Sequence, residues 1–97
     1  MSISTLSEPD VIFVEDNEPL REELVNYLAE DGFTVRGVGS GEELNCALED
    51  HPADILVVDL NMAGEDGISI TRRIRRTLPD VGIVILTGRV LGSERLE

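Results

Sequence analysis

The chain has 97 residues, enough for one small domain with a single core. Its composition, 41% hydrophobic and 29% charged, excludes a disordered chain. Twenty acids stand against eight arginines and no lysine, a net charge of -12. That argues against nucleic acid as a direct ligand and leaves room for metal cations or basic partner surfaces.

Residues 1–9 are small and polar and end in Pro9, a loose lead-in to a unit spanning 10–97. Asp10 to Val14 reads as a buried strand that ends in Glu15 and Asp16. Asn17 is placed to cap a helix with Pro19 in its first turn. Leu20, Leu24, Tyr27 and Leu28 recur at helical spacing as its inner face, and Gly32 stops it. Phe33 to Val38 is a less apolar strand, nearer a sheet edge. Ser40 with Glu43 forms a capping box for a second helix carrying Leu44, Ala47 and Leu48. Cys46 falls on that helix as a half-buried packing residue. As the lone cysteine it excludes an internal disulfide and suits a reducing compartment. Ala53 to Val58 is a third strand. Ile70, Ile74 and Leu78 make the inner stripe of a third helix, closed by Pro79. Val81 to Leu86 is a fourth, wholly apolar strand.

The order β-α-β-α-β-α-β predicts a parallel sheet with right-handed crossovers. The apolar strands predict cover on both faces. Nothing in the sequence reads as a signal peptide, a membrane span or a lipid anchor, so a cytoplasmic chain that does not bind a membrane is expected.

Ligands of open α/β sheets bind beyond the carboxyl ends of the strands, where the winding reverses. Three strand ends carry polar groups there: Glu15 and Asp16 on the first, Asp59 on the third, Thr87 on the fourth. Crowded carboxylates repel, so either one takes a proton or a cation joins them. The donors are all oxygens, which selects magnesium first, with manganese or calcium behind it. A backbone carbonyl just past Asp59 would complete such a site. A carboxylate beside a metal can attack phosphorus, and the Thr87 hydroxyl could bond to the acyl phosphate that results.

At these residues the chain resembles the receiver domain of a bacterial two-component response regulator. The pieces that carry the resemblance are VIFVEDNEPLREELVNYL, ILVVDLNMAGEDGISITRRIR and VGIVILTGR. Each is weak alone. Asp16, Asp59 and Thr87 in order, 43 and 28 residues apart, make a specific set. The resemblance implies a flavodoxin-like doubly wound sheet of order 2-1-3-4. It implies phosphorylation of Asp59 by a histidine kinase, and magnesium held by Asp16, Asp59 and the main-chain carbonyl of Asn61. Glu15 would act through water and Thr87 as a switch hydroxyl. The implied role is to control an attached effector, for which DNA-binding transcription control is the association.

Two departures stand out. Ala63 replaces a proline common in the family. No lysine is present, and the fifth strand and helix of a full receiver are lacking, so a partial receiver is expected. That would leave VGIVIL as an edge strand open to a homodimer or a domain swap, with GRVLGSERLE as a frayed helix start or a swapped segment.

Blander readings stand beside these. Glu15 and Asp16 could simply favour the first helix dipole. The Arg72–Arg76 run reads as a solvated face pairing with acids, and His51 as structural. GVGSGEE faintly resembles a dinucleotide-binding loop, but it follows the second strand and has Glu42 in place of the third glycine, so it is rejected. Two other functions compete with the signalling module, which is not an enzyme. A haloacid-dehalogenase-type phosphatase would want an acid where Asn61 stands. A pseudo-receiver would bind a partner without being phosphorylated.

Overall fold

The computed structural model describes residues 9–60, 62 and 65–86. Asn61 and Thr87, and with them the expected carbonyl ligand and switch hydroxyl, lie outside the described residues, as do residues 1–8 and GRVLGSERLE. The elements are β1 (Asp10–Val14), α1 (Glu18–Glu30), β2 (Thr34–Val38), α2 (Gly41–Asp50), β3 (Ile55–Asp59), α3 (Gly67–Thr77) and β4 (Gly82–Leu86). All strand pairs are parallel, in the order β2-β1-β3-β4. This is the doubly wound order expected from the sequence. It puts β1 and β3 side by side at the centre, with Val14 opposite Val58.

The helix boundaries follow local chemistry. Asn17 Oδ1 accepts from the Leu20 N–H at 3.0 Å, and Pro19 occupies the first turn of α1. Gly32, with φ at +103°, ends that helix in a conformation that L side chains rarely adopt. Ser40 Oγ accepts from the Glu43 N–H at 3.1 Å, as a capping box requires. The return contact differs from the standard box: Glu43 Oε1 accepts from Gly39 N–H at 2.7 Å, one residue upstream of the cap. Asp66 Oδ1 caps α3 through the Ser69 N–H at 2.8 Å.

The core joins Ile12 and Val14 of β1 and Leu56 and Val58 of β3 to Leu44 of α2 and Ile70 and Ile74 of α3. Strand residues point alternately to the two faces, and these are the positions that face α2 and α3. The other face is less covered. α1 lies against β1 and β2, yet none of its residues is buried. Tyr27 is 69% exposed, and Leu20 is also exposed. The expected inner face of α1 is therefore only half closed. Cover on both faces holds for β1 alone: β3 is buried at alternate positions, and the β4 residues Val84 and Ile85 are 48% and 42% exposed. Among the described residues β4 pairs with β3 alone, so continuous apolarity overstated its burial. Cys46 also departs from expectation. It is exposed, because Leu44, Ala47 and Leu48 take the inward positions of α2.

At the amino ends of the strands a polar cluster closes the sheet. Arg36 donates to Asp10 Oδ1 (3.1 Å) and to the carbonyls of Ala47 (2.9 Å), His51 (2.9 Å) and Pro52 (3.3 Å). Two of these carbonyls lie at the end of α2: Ala47 O, which also accepts from the His51 N–H at 3.0 Å, and the C-cap His51 O, where helix geometry leaves an acceptor unpaired. His51 Nε2 lies 3.2 Å from Asp10 Oδ2, which agrees with a structural role for this histidine.

Candidate functional site

The carboxyl ends of β1 and β3 bring Glu15 and Asp59 together, and their side chains are hydrogen bonded. Glu15 is buried, at 3% exposure, and its main chain is anchored by a bond from its N–H to Val38 O at 2.9 Å. Its Oε2 accepts from the Asn17 N–H at 3.0 Å. Burial penalises the ionised carboxyl, and the hydrogen bond to Asp59 favours the protonated form. The charges of Asp59 and Asp16 add to this, against the opposing Asn17 bond, and the Glu15 carboxyl is pushed up to about 7. Of the two outcomes expected for crowded acids, this arrangement favours a proton on Glu15.

Asp16 follows as an exposed residue whose charge reaches Glu15. The resemblance gave Asp16 a direct and Glu15 a water-mediated part in holding magnesium. Their environments differ, because successive residues leaving a strand point to opposite sides.

The backbone under Asp59 is fixed by a close approach. A methyl group at Gly67 would stand 2.6 Å from Asp59 O and 2.8 Å from Leu60 Cα. Only glycine lets the first turn of α3 seat against the end of β3. Met62, which lies between them in sequence, is buried in the core. Glu65, later in the loop, pairs with Arg73 of α3 at 3.1 Å, so part of the arginine run does pair with an acid. Gly67 opens α3. Its tight contact depends on tertiary packing, for which a single glycine is the sole local sign.

Among the described residues no three His, Cys, Asp or Glu side chains stand ready to hold a metal ion by themselves. Magnesium asks for less, since it keeps several waters and takes one or two carboxylates. Glu15 and Asp59 suit it: both are oxygen donors, they are in contact, and burial followed by the bond to Asp59 raises the Glu15 carboxyl, a penalty on its charge that a cation would relieve. The clefts lined by Pro52, Asp54, Leu78 and Pro79 lie near the opposite ends of the strands, away from these acids.

Comparison with known proteins points the same way. A family profile described as response regulator receiver domain matches residues 11–95. The chain is 35% identical over 86 residues to the transcriptional regulatory protein AruR of Pseudomonas aeruginosa, a match covering 84% of this chain and 35% of AruR. It is 32% identical over 87 residues to the TorCAD operon transcriptional regulatory protein TorR of Escherichia coli O157:H7, covering 90% and 36%. The matched region thus spans about a third of the length of these relatives. A response regulator receiver protein from Pseudomonas putida superimposes with a TM-score of 0.77 at 29% identity, covering 82% of this chain and 68% of that one. A chain from the complex of histidine kinase ThkA with response regulator TrrA superimposes with a TM-score of 0.75 at 28% identity, covering 81% and 68%.

Proposed function

Because this chain belongs to the response regulator receiver domain family, we propose that it accepts a phosphoryl group on Asp59 from a histidine kinase and so switches an effector. The observation that carries this reading is the hydrogen-bonded Glu15–Asp59 pair at the carboxyl end of the sheet. In the transfer, an Asp59 carboxylate oxygen bonds to phosphorus as the P–N bond of the phosphohistidine donor breaks. The departing imidazole takes a proton from solvent, and an acyl phosphate remains on Asp59.

Glu15, Asp16, Asp59 and the Asn61 carbonyl would hold magnesium, which when bound neutralises charge on the transferring group. This chain's own residues supply the rest. Gly67 keeps the Asp59 main chain seated against α3. Burial and the Asn17 N–H hold the Glu15 carboxyl against its neighbour. Thr87, at the end of the next strand, would bond to the acyl phosphate.

The chemistry modifies the chain itself, so it is a signalling module and not an enzyme with turnover. In this reading residues 10–97 form the receiver unit and 1–9 its lead. The effector is a transcriptional regulator's output domain, by analogy with the relatives named above, and the compartment is the cytoplasm. Among the described residues no helix is long and apolar enough to cross a membrane.

The test is intact-mass spectrometry after incubation with acetyl phosphate and magnesium. One phosphoryl increment, absent from Asp59→Asn, supports the reading. No increment on a chain that binds magnesium would favour the second reading, a pseudo-receiver that works by binding alone.

A further inference from the structure

We propose that Arg21 is a positioning residue for the acidic turn, held in a trough cut for it by Gly37 and Gly39. The proposal deepens the magnesium reading above and rests on it.

Arg21 sits on α1, where its N–H bonds to Asn17 O at 2.9 Å. Its side chain runs across β2 rather than out into solvent. A methyl at Gly37 would stand 3.0 Å from Arg21 Cγ and 3.1 Å from Cδ. A methyl at Gly39 would stand 3.0 Å from Arg21 Nη1. Gly37 lies in β2 and Gly39 in the bend just past it, and both face Arg21. One accommodates the stem and the other the guanidinium. At the end of this path Nη1 donates to the main-chain carbonyl of Glu15 at 2.8 Å.

That carbonyl belongs to the peptide joining the buried acid to Asp16. Glu15 is therefore gripped at three points: its N–H by Val38 O, its carbonyl by Arg21, and its carboxyl by the Asn17 N–H. The first and third contacts lie within the sheet and the turn. Arg21 supplies the grip that comes from the helix. A bond to a charged donor is also stronger than a neutral one. The GVGSG stretch, which looked like a nucleotide loop, thus has a different use: its first two glycines let α1 reach the site across β2.

Charge and position make opposite predictions for removing Arg21. Arg21→Met keeps the stem but loses the cation and the bond. If Arg21 acted only through charge, the more negative turn would attract magnesium more strongly. If it positions Glu15 and Asp16, magnesium binding weakens by about tenfold, the loss typical when a group that orients metal ligands is removed. Isothermal titration of magnesium into the wild-type chain, Arg21→Met, Arg21→Lys and Arg72→Met reads this directly. Arg72 is exposed on α3, so Arg72→Met makes the same charge change elsewhere.

Amide hydrogen exchange at Glu15 and Asn17, measured without metal, is the second readout. The proposal expects weaker magnesium binding and faster exchange at both amides in Arg21→Met, partial recovery in Arg21→Lys, and no change in Arg72→Met. Unchanged exchange, or faster exchange with equal or tighter magnesium binding, would overturn it. A wild-type chain that binds no magnesium would overturn the magnesium reading itself. Exchange at Glu15 and Asn17 would still decide whether Arg21 holds the turn.

Discussion

Replacing Glu15 by glutamine should flatten the dependence of stability on pH. The carboxyl titrates near 4.5 when exposed and near 7 in the folded chain. The raised folded value means that the native state binds the proton more tightly than the unfolded state. The contribution is therefore complete below pH 4.5, declines as pH rises, and is lost above 7. At ~1.4 kcal/mol per pH unit of displacement, the whole loss is about 3 kcal/mol. For a domain whose total stability is on the order of 5–10 kcal/mol, that is a large share. Glutamine has nearly the same shape, stays neutral and can still donate to Asp59. Urea unfolding followed by far-ultraviolet circular dichroism at pH 5 and pH 8, with chelator present, would give the comparison. All other titrating groups are common to both chains, so their effects largely cancel in the difference. The wild-type chain should lose about 2.5 kcal/mol more than Glu15→Gln across that interval, and magnesium at pH 8 should return part of it to the wild type only. Parallel profiles for the two chains would refute a buried, protonated Glu15.

Other consequences concern separate parts of the molecule. Gly67→Ala forces a methyl against Asp59 O and Leu60 Cα and should cost about 1–3 kcal/mol. It should also slow labelling by acetyl phosphate, which a time course of intact mass would register. Arg36→Met removes donors to Asp10 and three carbonyls at the far end of the sheet. A loss of roughly 2 kcal/mol in urea unfolding, with labelling of Asp59 in the folded protein unchanged, is expected. Val84→Lys places a charge on the exposed part of β4. Sedimentation velocity should show less concentration-dependent association than in the wild type, and equal association in both would exclude this strand as the contact.

The fold was largely legible because its signals are local. Asn17, Gly32 and Ser40 mark helix ends through their own side chains or backbone freedom, and the structure has each in that role. The parallel wound sheet was legible because apolar strands alternate with helices, whereas the strand order came from the resemblance to receiver domains. Burial was less so. Leu20 and Tyr27 have helical spacing, but spacing does not say how much cover a face receives. Cys46 shows the same limit on α2. At the site, Asp59 and the acid pair were visible as carboxylates at strand ends. The division between a buried Glu15 and an exposed Asp16 was not, because it depends on how the chain leaves β1. Arg21 was not legible at all. An arginine on a helix reads as solvated until the glycines of the adjoining strand are seen beneath it.

The central claim is that Asp59 carries the phosphoryl group, and borohydride trapping tests it most directly. Borohydride reduces an aspartyl phosphate to homoserine, which survives digestion and peptide sequencing by mass spectrometry. After incubation with acetyl phosphate and magnesium, homoserine should appear at position 59 and at no other acid, and should vanish when either reagent is omitted. Homoserine at Asp16 or elsewhere, or an unmodified Asp59 in a chain that binds magnesium, would contradict the account.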